Sequence, residues 1–207
     1  MVDTQVRPSD VTKFPIIDAM LTIPRERFVP QNRREAAYAG AHLELGGERV
    51  ILDPRVFAKL LDVLDVQPGE LVLDVGCGLG YSTAVLARLA DFVFALENDP
   101  AMADEAQTIL SELGIDNAAV ETGPLADGAA KSAPFDVIML QGAVEKVPDT
   151  LIGQLREGGR IGCIFAEGPL GVARLGLKLD GRMAWRYAFD AAAPLLPGLT
   201  TPHVFTL

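Results

Sequence analysis

Residues 71–82, LVLDVGCGLGYS, constrain the fold of this 207-residue chain more than any other stretch. The first five positions are apolar except for one acid, which is typical of a strand buried on both faces of a sheet. Three glycines at alternate positions follow, and a helix-forming series begins directly after them. A strand, a glycine-rich turn and a helix form the unit by which an α/β sheet binds a ligand at the carboxyl ends of its strands. Glycine suits that turn because it adopts positive φ readily and lets a ligand approach the backbone.

The spacing of the glycines indicates the kind of ligand. Gly80 follows Gly78 by two residues, whereas the dinucleotide fingerprint places its third glycine three residues after the second. Asp74 lies two residues before Gly76, and Glu97 ends the next apolar run. A carboxylate at the tip of the second strand can accept hydrogen bonds from both ribose hydroxyls of a nucleoside. This pattern resembles motif I of the class I S-adenosylmethionine methyltransferases, while a generic α/β turn and an NAD site remain the alternatives.

Apolar runs and helical periodicities alternate along most of the chain. Asp53-Pro54 and Asp99-Pro100 each pair an N-cap residue with a proline suited to the first turn of a helix. Asp180-Gly181 predicts a hairpin between 171–179 and 183–189. The predicted strands are 71–75, 92–96, 117–121, 135–140 and 161–165; the predicted helices are 9–22 (capped by Ser9 or Asp10, or else kinked or starting at Pro15), 54–64, about 80–90, 100–113 and one opened by Pro148. The predicted fold is α/β, a Rossmann-like seven-stranded mixed sheet with helices on both faces and an N-terminal helical extension.

The length predicts one domain, residues 1–207. Within it we expect an extension over the acceptor side (1–53, with loop and short strands at 35–53), a cofactor-binding core (54–190) and a tail (191–207). We expect the tail to wrap the surface and to finish in a short strand at Val204-Phe205. The segments 141–143 and 157–160 are predicted to be a loop and a turn.

Charge and composition narrow the range of partners and compartments. The formal net charge of −10 disfavours a nucleic-acid partner, because affinity for phosphate backbones comes largely from lysine and arginine. The basic clusters Arg25-Glu26-Arg27 and Arg33-Arg34 each adjoin an acid and are predicted to be solvated. No apolar run approaches a membrane span, and no secretory signal is visible. Cys77 and Cys163 form neither a disulfide framework nor a metal cluster, so we expect a cytoplasmic protein without a metal site.

Further segments resemble one narrower family, the protein-L-isoaspartate O-methyltransferases. The resemblance is collinear over roughly residues 14–166. It implies the cofactor S-adenosylmethionine, and as substrate a protein or peptide whose isoaspartyl residues are methylated on the abnormal α-carboxylate, which initiates repair. The segments that carry it are AMLTIPRERFVP (19–30), AYAG (37–40), LDVGCGLGYSTAVLA (73–87), FDVIMLQGAVEKVP (135–148) and LREGGRIGCIF (155–165).

The chain departs from the family pattern around the predicted acceptor side. The family signature Thr-Ile-Ser-Gln-Pro is Val-Ile-Leu-Asp-Pro at 50–54, so Leu52 stands where the family has its active-site serine. Leucine has no hydroxyl with which to donate or accept a hydrogen bond. The family's Gly-Asp-Gly after the third strand is Thr-Gly-Pro at 122–124, and its alanine-rich phrase after the fourth strand is Gln-Gly-Ala-Val at 141–144.

The candidate site residues follow from the strand ends and from the resemblance. Asp74 is predicted to hold the methionine end of the cofactor and Glu97 its ribose. No catalytic residue is assigned; Asp53 and Tyr38 are the neighbours considered, although helix capping is the simpler role for Asp53. His42 is expected either to line the acceptor pocket or to be structural, and His203 has the same two alternatives. The predicted cofactor-binding set is Asp74, Gly76, Cys77, Gly78, Gly80, Ser82, Glu97, Asn98, Thr122, Gly123 and Gln141.

Three functions are compatible with these residues. The first is a carboxyl methyltransferase of the isoaspartyl-repair type. The second is a cofactor-binding paralogue that no longer repairs isoaspartate, and the third is a methyltransferase with another small acceptor. The glycine turn and Glu97 suit all three, whereas Leu52 and Thr122-Gly123-Pro124 favour the last two. A hydroxyl from Tyr38 or Thr122 is the hypothesised replacement for the missing serine.

Overall fold

The computed structural model of the protein describes residues 1–168 and 170–201. The short strand expected at Val204-Phe205 and the side chain of His203 therefore lie outside the described residues. The α-helices are α1 (Phe14–Thr22), α2 (Pro54–Leu64), α3 (Tyr81–Ala87), α4 (Pro100–Glu112) and α5 (Asp149–Gly153). The strands are β1 (Leu43–Gly46), β2 (Arg49–Ile51), β3 (Leu71–Val75), β4 (Phe92–Glu97), β5 (Ala118–Thr122), β6 (Phe135–Val144), β7 (Leu155–Phe165), β8 (Val172–Leu179) and β9 (Arg182–Asp190).

Seven of these strands form one mixed sheet in the order β5-β4-β3-β6-β7-β8-β9. The pairs from β5 to β7 are parallel, and β8 and β9 complete the sheet as an antiparallel hairpin. The chain proceeds from β3 outward through β4 to β5 and then returns to the other side of β3 with β6. This reversal places a crevice at the carboxyl ends of β3, β4 and β6, where ligands bind in sheets of this kind. The predicted fold class is confirmed.

The local signals for helix starts and for the hairpin predicted the correct elements. The Asp53 carboxylate accepts hydrogen bonds from the backbone N–H groups of Arg55 and Val56, at 2.8 and 3.2 Å. Asp99 caps α4 in the same way. At the hairpin between β8 and β9, Asp180 and Gly181 both have positive φ, 51° and 71°, as a tight two-residue turn requires.

The first helix begins next to Pro15, the second of the two predicted starts, and not at Ser9 or Asp10. The segment Val2–Val6 is a π-helical turn, Arg7–Ser9 is a 3-10 turn, and Asp10 has a φ of 65° that ends it. Asp10 and Ser9 therefore do not cap α1, which begins at Phe14 after Lys13 without a side-chain cap. Pro15 stands in the first turn of α1, where a proline lacks no hydrogen bond that the helix needs.

Arg25 is buried rather than solvated, so the prediction was wrong for this residue of its cluster, whereas the Arg27 side chain is 39% exposed. Its side chain is fully buried; its Nε donates to the carbonyl of Ala37 and its Nη2 to that of Leu52, both at 2.8 Å. The guanidinium also lies over the ring of Tyr81, 4.6 Å from the centroid. The loop carbonyls have no strand partner, and Arg25 supplies the donors that they need. Burial lowers the pKa of Arg25.

Tyr81 offers a stability test, because its buried hydroxyl makes no hydrogen bond of good geometry to any described residue, and the neighbouring Arg25 guanidinium lies over its ring. We expect Tyr81→Phe to raise the free energy of unfolding by about 1 kcal/mol, since the variant no longer buries an unpartnered phenol. Urea denaturation measures the change. The control is Tyr187→Phe, at an exposed phenol, for which we expect no measurable change. A less stable Tyr81→Phe would contradict the absence of a partner.

Two segments that were predicted to be a loop and a turn, 141–143 and 157–160, belong to strands of the sheet, and the first of them also contacts the tail. β6 continues through 141–143, because the Ala143 N–H donates to the carbonyl of Pro194 and the Ala143 carbonyl accepts from the N–H of Leu196, both at 2.8 Å. Leu196 and Leu199 of this part of the tail are buried, whereas Gly198 and Thr200 between and beside them are exposed. β7 likewise begins at Leu155 and includes the predicted turn at 157–160.

Candidate functional site

Asp74, the last residue but one of β3, connects three elements through its buried carboxylate. Oδ2 accepts from the hydroxyls of Ser82 and Thr83 on α3, at 2.6 and 2.7 Å. Oδ1 accepts from the side-chain amide of Gln141 on β6, at 2.7 Å. Residues that are 67 positions apart therefore share one carboxylate at the crevice.

Burial is the largest influence on the pKa of this carboxylate. The pKa of Asp74 is raised from 3.8 to about 6, chiefly because the fully buried site disfavours the charged form. The donors Ser82, Thr83 and Gln141 oppose this rise, and the nearby charge of Glu97 adds to it. No cation is paired with Asp74 among the described residues.

The glycine turn between β3 and α3 has the backbone conformation that its sequence predicts. Gly76, Gly78 and Gly80 have φ values of 79°, 56° and 91°, which disfavour any residue with a Cβ. The N–H of Gly78 donates to Oε2 of Glu97 at 2.7 Å, so the turn is fastened to the end of β4.

Glu97 forms a buried ion pair that the sequence analysis did not anticipate. Arg49 on β2 approaches it with Nη2 at 2.8 Å from Oε2 and Nε at 3.3 Å from Oε1. Both side chains are buried, with 0% of Glu97 and 3% of Arg49 exposed. Arg49 also donates to the carbonyl of Gly76. No local signal reveals this contact, because 48 positions separate the two residues.

Side chains of the β1–β2 hairpin and of the tail cover the glycine turn. A Cβ at Gly76 would lie 2.6 Å from Nη2 of Arg49 and 3.1 Å from Leu196, and one at Gly78 would lie 2.6 Å from Leu45. The hairpin and the tail also line a cleft of about 1080 Å³, to which Arg49, Leu45 and Leu196 all contribute. The space above the turn is thus bordered by a part of the chain outside the main sheet.

Leu52 lies at a small buried pocket that it shares with residues of the cofactor set. The pocket is lined by Val50, Ile51, Leu52, Phe57, Cys77, Tyr81, Ser82 and Gln141. The Cys77 thiol is buried there, and burial raises its pKa well above the usual value, so it remains protonated. Leu52 therefore presents an apolar side chain to the junction of the glycine turn, α3 and β6.

The remaining candidates are placed at the margins of this arrangement. Tyr38 is 44% exposed, does not line the Leu52 pocket, and donates its hydroxyl to Glu26; burial and that carboxylate raise its pKa to about 12. Asn98 and Thr122 are exposed at the ends of β4 and β5, and the Gly123 N–H donates to the Glu97 carbonyl at 3.0 Å. Neither proposed substitute hydroxyl reaches the Leu52 pocket.

His42 and Asp53 have structural contacts. The N–H of Asp53 donates to Nδ1 of His42 at 2.8 Å, which assigns the ring proton to Nε2. Nε2 then donates to the carbonyl of Ala192 at 2.8 Å. His42 therefore joins the start of α2 to the tail, while the carboxylate of Asp53 caps α2.

Comparison with known proteins identifies the family. The model of the protein-L-isoaspartate(D-aspartate) O-methyltransferase family matches residues 3–165. The chain belongs to this family. Its members are S-adenosylmethionine-dependent methyltransferases, which confirms the predicted enzyme class and cofactor. A protein-L-isoaspartate O-methyltransferase of Syntrophus aciditrophicus is 40% identical over 161 residues, 78% of this chain and 74% of its own length. One of Methylorubrum extorquens is 36% identical over 206 residues, 97% of this chain and 89% of its own length.

Solved structures agree with the family assignment. A structure described as a protein-L-isoaspartate O-methyltransferase has a TM-score of 0.84 at 27% identity over 94% of this chain. This chain covers 64% of the length of that protein. A putative isoaspartate methyltransferase of Plasmodium falciparum, in complex with S-adenosyl-L-homocysteine, has the same fold, with a TM-score of 0.79 at 20% identity over 92% of this chain and 94% of its own.

Two residues that contact the predicted site acids Asp74 and Glu97, namely Thr83 and Arg49, were not predicted from the sequence. Thr83 adjoins Ser82 at the start of a helix after a strand-end acid, and that position was a usable signal.

Throughout residues 1–168 and 170–201, no helix has the length and apolar character needed to cross a membrane. In the same ranges no group of three or more His, Cys, Asp and Glu residues is arranged to hold a metal ion.

Proposed function

We propose that this chain transfers the methyl group of S-adenosylmethionine to the carboxylate of isoaspartyl residues in damaged proteins. The observation that carries the proposal is the family match over residues 3–165. Both curated relatives quoted above are protein-L-isoaspartate O-methyltransferases. They give no support to a paralogue that has lost this acceptor.

The chemistry of the crevice fits the cofactor. Bound S-adenosylmethionine supplies an electrophilic methyl group on a sulfonium. We assign its ribose hydroxyls to Glu97, whose carboxylate stands at the end of β4. Its amino acid end is assigned to Asp74 and to the polar groups around it, Ser82, Thr83 and Gln141, because a buried carboxylate without a cation suits an ammonium group.

The acceptor needs little chemical activation from the protein. An isoaspartyl carboxylate is already ionised at neutral pH and is the nucleophile, so no general base is required. The protein contributes by aligning the two reactants and by excluding water. The apolar wall of the pocket around Leu52, Phe57 and Tyr81 supports the second role.

The test is methyl transfer from labelled S-adenosylmethionine to an isoaspartyl peptide and to its aspartyl twin, with cofactor binding measured by calorimetry. We expect transfer to the isoaspartyl peptide alone. Cofactor binding without transfer to either peptide would contradict the proposed substrate and would favour a paralogue that binds the cofactor without repairing isoaspartate.

Leu52 provides a quantitative test of acceptor binding. We expect Leu52→Ser to lower the KM for the isoaspartyl peptide roughly 5- to 150-fold, because one hydrogen bond to a charged group contributes on the order of 1–3 kcal/mol. Steady-state kinetics with the same peptide measure the change.

Leu52→Ala is the matched control for this change. It removes nearly the same buried volume as Leu52→Ser and introduces no hydroxyl, so loss of packing affects both variants. A KM that falls equally in the two variants, or in neither, would show that the hydroxyl at this position does not bind the acceptor.

A further inference from the structure

We infer that Arg49 is the gate of the cofactor site: its guanidinium occupies the ribose-binding carboxylate of Glu97 and must leave before the cofactor can bind. The inference rests on the family's cofactor and on the role proposed for Glu97, and it does not depend on the acceptor. It makes Arg49, which no motif assigns, a determinant of cofactor affinity and of the rate of cofactor entry.

The hydrogen-bonding capacity of Glu97 carries the argument. Oε2 accepts from Nη2 of Arg49 at 2.8 Å and from the N–H of Gly78 at 2.7 Å. Oε1 accepts from the N–H of Asn98 at 2.9 Å and, more weakly, from Nε of Arg49 and the N–H of Asp99, both at 3.3 Å. A carboxylate has about four lone-pair sites; the N–H groups of Gly78 and Asn98 take two of them, and the two contacts of Arg49 take the others. The two ribose hydroxyls can be accommodated only where Arg49 now binds.

Steric contact leads to the same conclusion. Nη2 of Arg49 would lie 2.6 Å from a Cβ at Gly76, and Leu45 would lie 2.6 Å from a Cβ at Gly78. Arg49 and Leu45 of the β1–β2 hairpin therefore occupy the space beside these glycines. A nucleoside lying on the turn requires the same volume.

The hairpin that carries Arg49 lies outside the main sheet, beside the cleft. β1 and β2 form a separate two-stranded sheet, with an irregular register between Glu44 and Gly46. Three consecutive residues at its turn, 46–48, have positive φ. Arg49 already borders the cleft of about 1080 Å³, so a small outward movement brings its guanidinium to water. Leu43, Val50 and Ile51 anchor the hairpin in the hydrophobic core, and the pair with Glu97 adds a polar attachment beside them.

The first experiment compares Arg49→Gln with the wild type in the binding of S-adenosyl-L-homocysteine, by calorimetry and by stopped-flow fluorescence. We expect the variant to bind at least about tenfold more tightly, with the gain in the association rate, because no buried ion pair has to be broken. Arg33→Gln is the control; it removes the exposed pair with Glu44 on the same hairpin and leaves Glu97 untouched. We expect its affinity to equal that of the wild type. Equal or weaker binding by a folded Arg49→Gln overturns the inference.

The second experiment uses the wild-type protein and therefore does not depend on the folding of a variant. Hydrogen exchange of the amides in residues 43–51 is measured with and without saturating S-adenosyl-L-homocysteine. We expect faster exchange in the complex, because the displaced arginine no longer holds the hairpin to the sheet. Unchanged or slower exchange in these residues overturns the inference. Because neither measurement involves an acceptor, a failure here is distinguishable from a failure of the proposed isoaspartyl activity.

Discussion

Glu97→Gln is expected to lower the free energy of unfolding by up to about 5 kcal/mol, because it leaves the Arg49 guanidinium without a counter-charge; release of the guanidinium into the adjoining cleft reduces the loss. Arg49 is 3% exposed and has Glu97 as its only described ion-pair partner, so solvent cannot replace the lost charge in the closed hairpin. Urea denaturation of the protein without cofactor measures the loss.

The exposed pair between Arg27 and Glu112 is the control for this substitution. Its side chains are 39% and 57% exposed, and we expect Glu112→Gln to change the stability by less than about 1 kcal/mol. The double variant Arg49→Met/Glu97→Gln removes both charges and should recover most of the loss. Equal effects of Glu97→Gln and Glu112→Gln would show that the buried pair is not formed in solution.

Asp74 is expected to make the stability fall as the pH rises from about 4 to about 6. Its carboxyl has a pKa of about 6 in the folded protein and 3.8 ordinarily, so in this window the folded state binds more protons than the unfolded state. The stabilisation is therefore fully present below pH 3.8 and is lost as the pH passes through about 6. The shift corresponds to about 3 kcal/mol.

Asp74→Asn isolates this titration from all others. Asparagine keeps the size of the side chain and an oxygen acceptor for the donors around it, but it does not titrate. We expect the difference in free energy of unfolding between wild type and variant, measured in urea at several pH values, to decrease by about 2 kcal/mol from pH 4 to pH 7. A difference that is constant across this range would contradict the raised pKa.

The elements that the sequence predicts correctly depend on neighbours in the chain. Asp53-Pro54 and Asp99-Pro100 define helix starts because the capping bonds reach only two or three residues ahead. The glycine turn after β3 follows from three positive-φ positions, and the Asp180-Gly181 hairpin from two. Ser9 and Asp10 were wrongly predicted to cap the first helix. Asp10 instead ends the preceding turn, with a φ of 65°.

Contacts between residues that are distant in the chain could not be predicted from such local signals. Gln141 was expected in a loop, and the tail hydrogen bonds at Ala143 extend β6 through it and bring its amide to Asp74. Arg25 was expected in solvent, and carbonyls 12 and 27 positions away determine its burial. Neither partner could be identified from composition or spacing.

The sequence by itself therefore determined the α/β class, the family, the cofactor and the two strand-end acids, because each depends on a short run of residues or on a collinear pattern. Only the tertiary structure decided how those acids are satisfied. Asp74 is bound by three neutral donors and Glu97 by Arg49, since the sheet order places β3, β4 and β6 side by side and the hairpin closes over them. Local propensity specifies each element, whereas the long-range packing of elements determines which charges meet.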